Sequence, residues 1–234
     1  MTPARDFILV AGLWLTGEAW APVSAELTRL GHRVVVPALP GADDADPTAT
    51  LDDQLAAVLA AVDAADLPVV VGHSAASTLA WLAADRRPSA VARVVMIGGF
   101  PSADGDPYAD FFPVADGQMP FPGWEPFEGA DARDLDAAAR RRFVEAAVPV
   151  PAGVAQAAVR LGDERRLAVP VTLVCPEFSP DEARAWLAEG ELPELARVAD
   201  LSLVDVDSGH WPMLTRPEEL ARLLDALPVP SVTR

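Results

Sequence analysis

Four short apolar runs recur within the first hundred residues, and each of the first three is followed by a stretch of helical spacing. They are Phe7–Ala11, Arg33–Pro37, Pro68–Val71 and Ala92–Ile97. Phe7–Ala11 is continuously apolar up to Gly12, which is the pattern of a strand covered on both faces. Between them, Trp20, Val23, Leu27 and Leu30 mark one helix, with Gly31 as its stop. Leu51, Leu55, Val58, Leu59 and Val62 mark a second, and a third is expected over 75–84. Strands and helices alternating at this spacing predict a parallel sheet with helices on both faces. The alternation resumes late, with strands at Val169–Cys175 and Leu201–Val206, a helix near 181–189 and a closing helix over about 217–227.

Between 101 and about 166 the rhythm stops. This stretch is rich in proline, carries Phe111, Phe112, Phe121, Trp124 and Phe127, and contains one Arg- and Ala-rich helical stretch near 132–147 but no expected strand. The expected organisation is a single domain, 1–234, with a core of 1–100 and 167–234 and a small helical cap insertion at about 101–166. A long insertion without strands in a compact domain is usually functional. The 234 residues suffice for one sizeable core, since a chain of this mass buries roughly 70% of its surface on folding.

Composition excludes several functions. The 35 acidic residues against 18 basic ones, all arginine, leave a net charge of −17. Nucleic acid and anionic membrane surfaces reject such a chain, whereas a small-molecule substrate does not. No apolar run reaches the 18 residues of a membrane span, and the opening Met1–Asp6 lacks the apolar stretch of a secretory signal, so a cytoplasmic location is expected. Cys175 is the single cysteine and His32, His73 and His210 are the three histidines, so no disulfide, metal centre or other cofactor is expected. His32 reads as a surface residue before a strand. His73 reads as a packing residue pointing away from its neighbour Ser74.

The strongest chemical signal is Val71-Gly-His-Ser74-Ala75-Ala76, which leaves a buried strand and opens a helix. A sharp strand-to-helix turn lifts the serine hydroxyl clear of the sheet and requires small residues two positions either side. The helix start behind it offers backbone N–H groups to a developing negative charge. The second signal is Asp207-Ser-Gly-His210-Trp-Pro212, just past the last strand. Side chains at strand C-termini of an open α/β sheet meet in one crevice, so His210 is the expected general base for Ser74.

These residues resemble the α/β-hydrolase fold superfamily, and within it compact serine hydrolases related to small esterases and hydroxynitrile lyases. The resemblance rests on Leu9-Val-Ala-Gly-Leu-Trp14 with Trp20, on Leu39-Pro-Gly41, on Gly72-His-Ser-Ala-Ala76 and on Gly209-His-Trp-Pro212 followed by Arg216-Pro217. It implies an α/β-hydrolase fold and a carboxylesterase-like enzyme acting on a small, mostly apolar ester through an acyl-enzyme. It makes Ser74 the nucleophile and His210 the base, with the backbone N–H groups of Leu13 and Ala75 as the oxyanion hole. Trp14, Phe111, Phe112, Phe121 and Trp124 are the expected substrate-binding aromatics, set against the alternative that the insertion's aromatics form its own core.

The triad acid has several candidates. The family's usual position falls at Ser179, which is no carboxylate. Ser179-Pro-Asp181-Glu182 reads as a helix start with a capping box, which accounts for Asp181 and Glu182 without chemistry. Glu177 therefore ranks first, followed by Asp104 or Asp106, then Asp181, with a Ser–His dyad as a further option. Two rival functions stand beside the esterase: a hydroxynitrile-lyase-like lyase and a ligand-binding protein that has lost the chemistry.

Overall fold

The computed structural model describes residues 4–228. Six parallel strands form the main sheet: β1 Asp6–Val10, β2 Arg33–Val35, β3 Val69–His73, β4 Arg93–Ile97, β7 Val171–Cys175 and β8 Leu201–Asp205. Their order is β2-β1-β3-β4-β7-β8. β3, β4 and β7 are buried at every position, as continuously apolar runs require. β1 sits at a reversal, since the chain leaves it for the edge strand β2 and returns to its other side at β3. Such a switch point opens a crevice at the strand C-termini, where Gly12–Trp14 and Ser74 emerge.

Helices α1 (Ala21–Arg29), α2 (Leu51–Asp63), α3 (Ala76–Arg86), α6 (Pro180–Glu189), α7 (Pro212–Thr215) and α8 (Pro217–Ala226) flank the sheet. Right-handed crossovers send α1 to one face and α2 and α3 to the other, because the first connection runs in the opposite direction along the sheet. The packing agrees: α1 lies on α8, and α2 on α3. α3 is buried from Ala76 to Asp85, so it is covered on its outer side as well as packed on β3 and β4.

Residues 98–168 connect β4 to β7. They hold α4 (Ala137–Ala146), α5 (Ala152–Ala155) and a two-residue antiparallel ladder of β5 (Gln118–Met119) and β6 (Val150–Pro151). This ladder corrects the expectation of no strand in the region: two residues beside prolines carry no periodic signal. The helix expected over 132–147 begins only at Ala137, where Asp136 caps it by accepting from the Ala139 N–H at 2.7 Å. His32 also departs from expectation. It is buried, edge-on to Phe7, and its Nε2 lies 2.9 Å from Asp225 of α8.

Candidate active site

β3 delivers Ser74 through a turn whose crowding is measurable. A Cβ on Gly72 would sit 2.2 Å from the Ala76 carbonyl oxygen, so strand and helix approach closely only because that position has no side chain. Ser74 takes φ = 55°, a conformation that costs a non-glycine residue about 1 kcal/mol or more and persists where the surroundings enforce it. Its N–H donates to the Ile97 carbonyl at 2.8 Å, which pins the turn to β4. Ala75 is the N-cap of α3. The N–H groups of Ala75 and Leu13 donate to no acceptor among the described residues. Trp14, beside Leu13, also holds a positive φ of 62°. Its indole donates to the Met119 carbonyl at 3.2 Å, and its own carbonyl accepts from the Val148 N–H at 3.0 Å. The loop after β1 is thus tied to the β5–β6 ladder.

His210 follows β8. Its Nδ1 lies 2.7 Å from Glu177 Oε1, and both side chains are about one-eighth exposed. With Nδ1 engaged, Nε2 is the ring nitrogen left for chemistry. Glu177 leaves the end of β7 towards this point, and Gly98 makes room for it. A Cβ on Gly98 would stand 3.1 Å from His210 Nδ1 and 3.2 Å from Glu177 Oε2. Glu177 Oε2 is itself buried with no partner.

The remaining carboxylates lie elsewhere. Asp181 is exposed and pairs with Arg184, while Glu182 completes the capping box with Ser179. The Ser179 amide and hydroxyl hold the Glu182 carboxyl below its ordinary range. Asp104 accepts from the Leu161 N–H at 2.9 Å and Asp106 is exposed. Asp131 was not a sequence candidate, yet its half-buried carboxyl feels both members of the pair. Burial pushes it up, His210 pulls it down and Glu177 pushes it up again.

His73 is fully buried but does not turn away from the site. Its Nε2 lies 2.8 Å from the His210 carbonyl and its ring 4.9 Å from the His210 ring. Burial first, then the neighbouring His210, drives its basicity well below that of an ordinary imidazole, so it is neutral and donates from Nε2. Its Nδ1 is a buried acceptor without a partner. The Cys175 thiol is raised to about 12, chiefly by burial, and is inert as a nucleophile.

Ser74 and His210 line one cavity of about 110 Å³, together with Leu13, Trp14, His73, Phe111, Phe112, Phe127 and Trp211. No hydrogen bond joins the Ser74 hydroxyl to the His210 ring in this structure; such contacts often tighten only once substrate is bound. Of the expected substrate-binding aromatics, Trp14, Phe111 and Phe112 face this cavity. Phe121 and Trp124 do not. Phe121 stacks on Phe127 at 5.7 Å, and Trp124 packs on Phe143, Trp211 and the Arg140 guanidinium. They stand behind the wall because Phe127 and Trp211 occupy the inner position. Trp211 had a sequence signal, its place next to His210. Among the described residues, no helix is long and apolar enough to cross a membrane, and no group of three or more His, Cys, Asp or Glu side chains is placed to hold a metal.

A family model described as the alpha/beta hydrolase family matches residues 7–223. A carbendazim hydrolyzing esterase from Nocardioides sp. (strain SG-4G) is 27% identical over 246 aligned positions, covering 95% of this chain and 99% of the relative. Among solved structures, an extracellular alpha/beta-hydrolase from a Paenibacillus species superposes with a TM-score of 0.77 at 19% identity, covering 94% of this chain and 97% of the other. A methylesterase from Arabidopsis gives 0.73 at 13% identity, with the same coverage.

Proposed function

The chain belongs to the alpha/beta hydrolase family, and on that footing we propose that it is an esterase with Ser74 as nucleophile, His210 as base and Glu177 as acid. The observation that carries this reading is the 2.7 Å contact between His210 Nδ1 and Glu177 Oε1, beside a serine on a strained turn lining the same cavity. Glu177 fixes the tautomer with the proton on Nδ1, so Nε2 accepts the Ser74 proton as Oγ attacks the ester carbonyl. The free N–H groups of Leu13 and Ala75 stabilise the oxyanion. His210 then protonates the departing alkoxide. It next takes a proton from water, which attacks the acyl-enzyme, and returns that proton to Ser74 Oγ as the bond to the acyl group breaks and the carboxylic acid leaves.

The cavity selects the substrate. Its lining is aromatic and aliphatic around the serine and the two histidines, with no arginine, which favours a small uncharged ester with an apolar acyl or aryl group. A lyase that holds a leaving anion needs a cation there, so the lining also favours the hydrolase. Residues 101–166 act as the cap that supplies Phe111, Phe112 and Phe127. The names of the relatives add carbendazim and methyl esters to the assay panel.

Labelling of Ser74 by a fluorophosphonate, together with hydrolysis of 4-nitrophenyl esters, tests the assignment. Ser74→Ala is expected to remove labelling and to lower turnover by about 10⁶, the scale of a lost catalytic serine. Retention of more than a few per cent of activity would sink it.

A further inference from the structure

The loop that carries His210 is held from two sides. On the sheet side, His73 Nε2 donates to the His210 carbonyl at 2.8 Å. On the other side the contacts come from a turn in the 98–168 connection, far away in sequence. The Asp131 carbonyl accepts from the His210 N–H at 2.8 Å. Arg133 donates to the Ser208 carbonyl from Nε at 3.1 Å and from Nη2 at 2.8 Å, and Nη2 also meets Asp207 Oδ1 at 2.8 Å. A Cβ on Gly209 would come within 2.2 Å of the Asp131 carbonyl oxygen and 2.5 Å of Asp134 Oδ1. The turn therefore presses directly on the backbone next to His210.

We propose that Arg133 is a positioning residue for His210, so that the cap's seating on Ser208 sets the geometry of the base. The proposal rests on the esterase reading above. Two donors of one planar guanidinium converge on a single carbonyl two residues before His210, and this fork restrains the loop's direction as well as its distance. The Arg133 side chain is 46% exposed, so it adds little to the core. Its contacts make most sense as control of the loop.

The consequence is specific. Loss of Arg133 leaves Ser74, Glu177 and the lining from Leu13, Trp14, Phe111, Phe112 and Phe127 in place and lets the imidazole drift. A misplacement of about 1 Å costs up to about 10²-fold in rate. It does so without altering ground-state binding, because Arg133 does not line the cavity.

The test measures kcat and KM for 4-nitrophenyl butyrate, the fluorophosphonate labelling rate of Ser74 and Tm in wild type, Arg133→Ala and Arg133→Lys. For Arg133→Ala, kcat and labelling rate are expected to fall about 10- to 100-fold, with KM within about twofold. Arg133→Lys, which restores one donor, should recover part of the loss, as should free guanidinium added to Arg133→Ala well below denaturing concentrations. Combining Arg133→Ala with Glu177→Gln should give less than the product of the two losses, because both act on the same ring. Unchanged kcat in a folded Arg133→Ala would overturn the proposal, as would a rise in KM alone or a kcat loss that neither lysine nor guanidinium repairs. Ser74→Ala separates the levels: if it stays active, the esterase reading fails; if it is dead while Arg133→Ala is normal, only this inference fails.

Discussion

The two ends of α3 carry buried ionisable clusters that are built in opposite ways. Beyond the N-terminus stand Ser74, His73, His210 and Glu177. About 16 Å away along the helix, at a rise of about 1.5 Å per residue, Asp85 meets Arg166 and Glu194. In the second cluster every polar group is answered. Asp85 accepts from the Gly162 and Asp163 N–H groups at 3.0 and 2.8 Å and from Arg166 at 3.4 Å. Glu194 accepts from the Trp81 indole at 3.1 Å and from Arg166 at 2.9 Å. In the first, Glu177 Oε2 and His73 Nδ1 are buried acceptors with no partner, and Ser74 sits at positive φ. Folding stability favours satisfied groups, so the unsatisfied, strained end is where the proposed chemistry falls. The satisfied end fastens the exit of the 98–168 connection to the sheet domain.

Single substitutions should separate the two ends cleanly. Glu177→Gln is expected to lower turnover by about 10⁴ while Tm barely moves, as when a triad carboxylate becomes an amide. Arg166→Met should do the reverse. It strands Asp85 and Glu194 in the interior at a cost of about 3–5 kcal/mol, yet the folded fraction should keep its kcat. Denaturant titration and steady-state kinetics on both variants check this, and a swap of the two outcomes would break the comparison.

The aromatic wall sharpens the contrast at smaller scale. Phe112 faces the cavity, so Phe112→Ala should flatten the acyl-length preference, which at about 0.8 kcal/mol per methylene amounts to about tenfold for two carbons. Trp124 stands behind, so Trp124→Ala should cost about 2 kcal/mol of stability, less than the ~3–5 kcal/mol of a fully buried ring because Trp124 is half-buried, and leave that preference alone. A series of acetate, butyrate and hexanoate esters on each variant decides it.

The smallest effect is a pH slope. Burial lowers the His73 pKa in the folded chain, so below the ordinary imidazole value the unfolded chain binds a proton that the folded chain refuses. Stability should therefore fall as pH drops below about 6.5, by up to about 1.4 kcal/mol per unit until the folded-state pKa is reached. His73→Gln should remove that slope between about pH 6.5 and 5, as read by urea midpoints. An unchanged slope would mean that His73 already carries charge in the folded state.

Much of the site was legible because its causes are local. The elbow needs a strand, a small residue, a serine and a helix start within eight positions, and Val69–Ala76 contains them all. Glu177 stood out because the helix start at Ser179-Pro-Asp181-Glu182, with its capping box, accounts for both neighbouring carboxylates. Other features have causes spread along the chain. His32 looked like a surface residue because its partner, Asp225, lies 193 positions away. In the cap, irregular backbone gives no period from which to read direction, so nothing in the local pattern tells Phe127, which faces the serine, from Phe121, which stacks behind it.

The sequence by itself determined the alternating strands and helices of a parallel sheet and the turns that carry Ser74 and His210, because apolar runs and turn chemistry act over a few residues; the strand order, with its reversal at β1, is tertiary. Only the tertiary structure decided which carboxylate meets His210 and that Gly98 leaves room for it. The same is true of the grip of Asp131 and Arg133 on the histidine loop from a separate part of the chain. Those contacts depend on how segments some 75 residues apart close over one another. That closure is set by the packing of the whole domain, which no local window of sequence contains.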